Sequence, residues 1–146
     1  VHDLIRRYGI DPARVFGMGH SNGAMMTERM LCETTLYAAG IAISGPLDIP
    51  VETCPSARGR RVLAIHGAAD ETVPVAGGTA GWNFPGVVIL SEEHARRVFI
   101  ASGASYELHI VPDVGHTLEL LDSGFRRQTG SSIPETAVRF FGLGAP

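Results

Sequence analysis

Gly17-Met18-Gly19-His20-Ser21-Asn22-Gly23-Ala24-Met25-Met26 is the stretch on which the fold turns. An apolar run from Val15 to Met18 leads into Gly19-His20-Ser21-Asn22-Gly23, and a helix-prone run from Ala24 to Leu31 follows. Strand, sharp turn and helix with a serine at the apex make the G-x-S-x-G arrangement of a nucleophile elbow. The turn lifts the serine hydroxyl clear of the sheet. The glycines on either side let strand and helix approach without a Cβ clash. A helix opening at Asn22 also aims its amide end at any developing oxyanion. Taken alone, the pattern also fits an ordinary glycine-rich turn with an incidental serine, so its weight rests on the remaining chain.

The chain has 146 residues, which reads as a single domain over residues 1–146 with room for a real core. Hydrophobic residues make up 45% and charged residues 18%, an ordinary globular composition. A net charge of -3 gives no electrostatic case for a nucleic-acid partner. All 12 basic residues are arginine, which excludes a lysine Schiff base or a P-loop. No apolar run approaches the roughly 20 residues of a membrane span, so no membrane partner is expected. Val1 already stands in a helical pattern, so we expect that the native start lies elsewhere. The compartment is therefore left open, and so is the redox state of Cys32 and Cys54.

Outward from the elbow, helices and strands alternate. Val1, Leu4, Ile5 and Tyr8 share one helical face, with Gly9 as the cap. Asp11-Pro12 turns the chain into the strand Arg14 to Met18, and the nucleophile helix runs to about Cys32. Ala38 to Ser44 and Arg61 to His66 read as buried strands, and Tyr106 to Val111 as a fourth. Gly77 to Pro85 lacks periodicity and reads as a long loop over the site. A helix follows from Ser91, with Glu92 and Glu93 in its first turn. The last helix opens on the capping box Ser132-Ile133-Pro134-Glu135. Alternation of this kind predicts an α/β fold: a mainly parallel sheet of about four strands with helices on both faces.

A serine hydroxyl is a weak nucleophile and needs a base, which in turn needs an orienting carboxylate. Functional groups of open parallel sheets gather beyond the carboxyl ends of the strands. Asp70 stands just past the third strand in His66-Gly67-Ala68-Ala69-Asp70, and His116 follows the fourth in Val114-Gly115-His116-Thr117. Ser21, Asp70 and His116 thus occur in the order serine, acid, histidine. Asp48 and Asp113 are loop acids that compete with Asp70. His66 reads as the residue that ties down the loop carrying Asp70; His109, His94 and His2 read as structural or solvated. His20 is placed either to line the substrate pocket or to make a structural hydrogen bond in the turn. Trp82 and Phe84 line the acyl or alcohol pocket, or else pin their loop to the core. No His or Cys cluster has zinc spacing, so neither metal nor cofactor is expected.

With these residues in hand, the chain resembles the α/β-hydrolases, in particular the polyhydroxybutyrate-depolymerase and feruloyl-esterase-like group. The resemblance rests on Gly9-Ile10-Asp11-Pro12-Ala13-Arg14-Val15, Gly19 to Met26, His66 to Pro74 with Gly77-Gly78, and Gly115-His116-Thr117. It implies Ser21 as nucleophile, Asp70 as orienting acid and His116 as base. It also implies positions at which Cys32 and Cys54 either form a disulfide or remain two buried thiols. The likeness is to the C-terminal part of such enzymes. Their earlier strands, and the loop that supplies a second oxyanion donor, have no counterpart here, and the amide of Asn22 is the donor that can be named.

These readings predict a serine esterase acting on small-molecule carboxylic esters, short-chain esters first and feruloyl or hydroxybutyrate esters second. The rival of another class is a hydrolase remnant that serves as an interaction module. The strand Arg14 to Met18 would be an open apolar edge, which predicts a homodimer paired along it.

Overall fold

The strand that leads into the elbow is the first of six in the computed structural model, which describes residues 1–81 and 85–144. In chain order they are β1 (Phe16–His20), β2 (Ala39–Ile43), β3 (Arg61–Gly67), β4 (Gly78–Thr79), β5 (Val88–Ile89) and β6 (Ser105–Val111). β1, β2, β3 and β6 form one parallel sheet in that order. Their starts are flush: Phe16 pairs with Ala39, Ala39 with Arg61, and Arg61 with Ser105. All four carboxyl ends therefore emerge along one rim. β2 is buried at all five positions, as a strand covered on both faces must be.

The helices are α1 (His2–Tyr8), α2 (Asn22–Glu33), α3 (Glu92–Ala101), α4 (Leu118–Thr129) and α5 (Ile133–Phe140). One face of the sheet packs on α2 and α3 through Leu31, Val62, Ala64, Ala95, Val98, Phe99 and Tyr106. The other packs on α4 and α5 through Ile41, Ile43, Leu63, Ile65, Leu121, Phe125 and Ile133. This is the expected α/β-hydrolase architecture with about four parallel strands.

Three local features depart from the sequence reading. α4 was not foreseen, although Thr117 precedes it and Gly130 caps it at φ 78°. The segment read as a long loop contributes β4 to a short antiparallel ribbon, whose second strand β5 lies beyond Pro85. α1 forms where its periodicity put it, yet none of its residues is buried. On its apolar face Val1, Leu4 and Tyr8 are at least half exposed, and Ile5 is partly buried. Cys32 and Cys54 form a disulfide, joining the end of α2 to the loop before β3.

Candidate active site

Backbone sterics build the elbow. Ser21 holds φ 58° and ψ -124°, a conformation costing about 1–3 kcal/mol for a residue with a side chain. Its amide donates to the Ile43 carbonyl of β2 at 2.8 Å, and its carbonyl accepts from Ala24 at 2.9 Å. A Cβ on Gly19 would lie 2.1 Å from the Gly23 carbonyl oxygen, so only glycine fits there. A Cβ on Gly23 would meet nothing, so the close approach expected of both glycines is made by the first alone.

Asp70 and His116 reach the same spot from the far side of the sheet. Their two loops are bound to each other: Ala68 donates to Val111 and Ala69 to Val114, both at 2.9 Å. A Cβ on Gly67 would stand 2.2 Å from the Val114 carbonyl, which keeps the strand exits this close. Asp70 is buried, and both of its carboxylate oxygens face donors. Its Oδ1 accepts from the amides of Thr72 (2.9 Å) and Val73 (2.8 Å), and its Oδ2 from His116 Nδ1 at 2.7 Å. His116 Nε2 lies 2.9 Å from Ser21 Oγ. Burial works against the Asp70 charge, but hydrogen bonds from His66, the Val73 amide and His116 prevail and bring it down to about 2.

The structure thus brings together Ser21, Asp70 and His116, each one to five residues past a strand end. Neither Asp48 nor Asp113 hydrogen-bonds His116. Asp48 Oδ1 accepts from the Leu90 amide, and Asp113 sits at positive φ in the turn after β6. His20 makes a structural contact: its Nε2–H donates to the His116 carbonyl at 2.9 Å, and its ring lies 4.8 Å from that of His116. That contact fixes the histidine loop against the elbow. Asn22 is the first residue of α2, so its amide has no intrahelical acceptor. Trp82 and Phe84 lie outside the described residues.

A cleft of about 230 Å³ opens beside Ser21 and Asn22. Met25, Val73, Ala80, Val87 and Ile89 give it an apolar wall, and Thr72 and Asp48 stand at its polar margin. The ribbon β4–β5 supplies Ile89 and flanks Ala80, so the segment read as a loop does border the site. Sequence reasoning missed Glu92, which is 1% exposed and hydrogen-bonds His66 beneath Asp70. Among the described residues, no three His, Cys, Asp or Glu side chains converge as a metal site. No helix among them is long and apolar enough to cross a membrane.

Comparison with known proteins fits this geometry. Esterase PE8 superimposes with a TM-score of 0.59 at 32% identity, over 87% of this chain and 55% of that one. SOBER1 of Arabidopsis thaliana gives 0.53 at 20% identity, over 87% and 59%. The acylaminoacyl peptidase of Pyrococcus horikoshii gives 0.67 at 16%, over 97% and 26%. The latter two likenesses speak for the fold alone. The chain spans little more than half the length of esterase PE8 and SOBER1. No curated protein matches it. Residues 1–119 match the model of the family described as Phospholipase/Carboxylesterase. The α/β-hydrolase resemblance read from the motifs therefore holds, and the chain belongs to the phospholipase/carboxylesterase family of that superfamily.

Proposed function

We propose that this chain is a serine esterase that hydrolyses short-chain carboxylic esters through an acyl-enzyme on Ser21. The supporting observation is the hydrogen-bonded line from Asp70 through His116 to Ser21, at 2.7 and 2.9 Å. The Asp70 carboxylate accepts the Nδ1–H of His116 and so leaves Nε2 free to take the serine proton. Ser21 Oγ attacks the ester carbonyl, and the oxyanion forms in front of the Asn22 amide at the head of α2. The His116 imidazolium then gives its proton to the departing alcohol oxygen. Water, deprotonated by the same ring, attacks the acyl carbonyl, and the ring then returns that proton to Ser21 Oγ as the bond from Ser21 to the acyl carbon breaks and the acid leaves. No step calls for a metal or cofactor.

The cleft supports the short-chain reading. Five apolar residues wall a cleft of about 230 Å³ beside Ser21, a surface suited to a short acyl chain. A homodimer through the open β1 edge, which pairs only with β2 among the described residues, is part of the same proposal.

A fluorophosphonate probe tests the nucleophile, and nitrophenyl esters of increasing acyl length test the cleft. Labelling at Ser21, with rates highest for chains of about two to six carbons, is the expected result. An unlabelled protein inert toward every ester would overturn the esterase and favour the interaction module. Feruloyl or hydroxybutyrate esters outrunning the short chains would overturn the substrate assignment alone.

A further inference from the structure

Four ionisable side chains from four elements meet beneath Asp70, shut away from water. They are Glu28 of α2, His66 of β3, Glu92 of α3 and Tyr106 of β6, none more than 8% exposed. His66 Nδ1 lies 2.6 Å from Glu92 Oε1. His66 Nε2 lies 2.8 Å from the Val73 carbonyl and 3.3 Å from Asp70 Oδ2. The Tyr106 hydroxyl lies 2.7 Å from Glu28 Oε1 and 2.9 Å from Glu92 Oε2. Buried charges of this sort return little stability relative to apolar side chains of the same shape. A role beyond packing is the natural place to look.

Counting hydrogens assigns the charges. His66 Nε2 faces two acceptors, so it carries a proton. Tyr106 has one hydrogen and two carboxyl neighbours, so one of those carboxyls must be protonated and donate to the hydroxyl. Burial and the nearby charge of Glu92 raise Glu28 well above the usual range, which makes Glu28 the neutral one. Tyr106 then donates to Glu92, and the Glu92 carboxylate accepts the Nδ1–H of His66. Burial opposes the charge on His66, but the hydrogen bonds to Asp70 and Glu92 outweigh it and raise the ring to about 9.

We propose that two members of this cluster, Glu92 and His66, form a positioning pair for the candidate triad, in which Glu92 holds His66 as an imidazolium that braces the inner face of Asp70. The inference rests on the triad reading above. Asp70 Oδ2 is shared between two rings, His66 behind and His116 in front. The positive charge behind offsets part of the carboxylate's pull on the proton of His116. With that charge gone, Asp70 favours protonated His116 more strongly, and a higher pH is needed to free the base. His66 thus has Glu92, Tyr106 and Glu28 on one side, Asp70 and the Val73 carbonyl on the other, with His116 beyond Asp70. His66 and Glu92 are positioning residues, and neither touches the serine.

Two isosteric variants separate this from a structural role. Glu92→Gln keeps the shape: the amide N–H can donate to Nδ1 of a neutral His66, and Tyr106 can still donate to the amide oxygen. The acid limb of its kcat/KM profile should move up by about half a unit to one unit, with KM unchanged. Glu28→Gln replaces a group already neutral and should leave the limb in place. Ring-nitrogen NMR should find His66 protonated at both nitrogens in the wild type from pH 6 to 8, and at Nε2 alone in Glu92→Gln. A neutral His66 in the wild type, or an unmoved limb in a folded Glu92→Gln, overturns the proposal. The wild-type spectrum decides even where the variant does not fold. The His116 ring titration needs no turnover, so it judges the coupling even if fluorophosphonate labelling refutes the esterase.

Discussion

The two faces of the sheet are built on different principles. Against α4 and α5 the packing is dominated by an apolar cluster, with Ile41, Ile43, Ile65, Leu121 and Phe125 at 2% exposure or less. Against α2 and α3 the apolar packing stops short of the rim, where Glu28, His66, Glu92 and Tyr106 are buried in hydrogen bonds to one another. The first arrangement serves stability. The second puts polar groups under the one place where a carboxylate must be held in a fixed orientation. Cost and benefit are thus divided between the faces, and substitutions on each should fail in different ways.

The largest effect should come from Ser21→Ala. If Ser21, His116 and Asp70 act as a unit, ester turnover falls by about 10⁵- to 10⁶-fold, while the melting temperature barely moves. Nitrophenyl-ester hydrolysis and a thermal melt check both halves. A variant retaining a tenth of the activity would show that Ser21 is not the nucleophile.

The opposite signature belongs to Phe125→Ala. Phe125 is 1% exposed, and its ring stands edge-on to His109 at 5.2 Å. Truncation should cost about 3–5 kcal/mol of stability through the cavity left behind. Molecules that remain folded should keep their kcat. A loss of kcat as large as the loss of stability would break the division between the faces.

Stability against pH sharpens the contrast further. His66 is raised to about 9 in the folded chain, so its contribution is full below about 6.5 and is lost as pH climbs through 9. A shift of that size corresponds to roughly 3 kcal/mol. Asp70 is lowered to about 2, so its contribution is present above about 4 and is lost as pH falls toward 2. Urea melts should show a plateau between pH 4 and 6.5 with a decline on both sides. In Glu92→Gln the alkaline decline should flatten, and a slope identical to wild type would remove His66 as its source.

How much of this was legible in the sequence differs by face and by element. The sheet could be read because Ala38 to Ser44 and Arg61 to His66 are short apolar runs bounded by turn residues, a pattern with few other meanings. The elbow and the loops carrying Asp70 and His116 could be read because glycines fix close approaches there. α4 is harder to read although Leu118, Leu121 and Phe125 keep helical spacing, because its N-cap Thr117 makes no side-chain cap of the kind that marks α5 at Ser132. The polar cluster was missed for a different reason. Glu92 satisfies the expectation of an acid in a helix's first turn, which conceals that it points inward. Glu28 gave more away: Ala24, Thr27, Glu28 and Leu31 lie at i, i+3, i+4 and i+7 and are all buried. A carboxylate on the apolar stripe of α2 was a sign that a buried partner waited across the sheet.

The smallest expected effect concerns the edge, which belongs to neither face. β1 pairs with β2 alone among the described residues, and Met18 at its middle is 46% exposed. The strand itself carries neither of the usual blunting residues: Phe-Gly-Met-Gly-His has no proline and no lysine. Open strands of this kind invite pairing, and a second copy about a two-fold axis would set β1 antiparallel to itself and satisfy both edges. Met18→Lys places a charge in the middle of that seam. It should shift the protein from dimer to monomer at low micromolar concentration while changing the stability of the monomer by no more than about 0.5 kcal/mol. Sedimentation equilibrium of wild type and variant reads the difference directly. A wild type that sediments as a monomer across that range would leave the edge without the partner proposed for it.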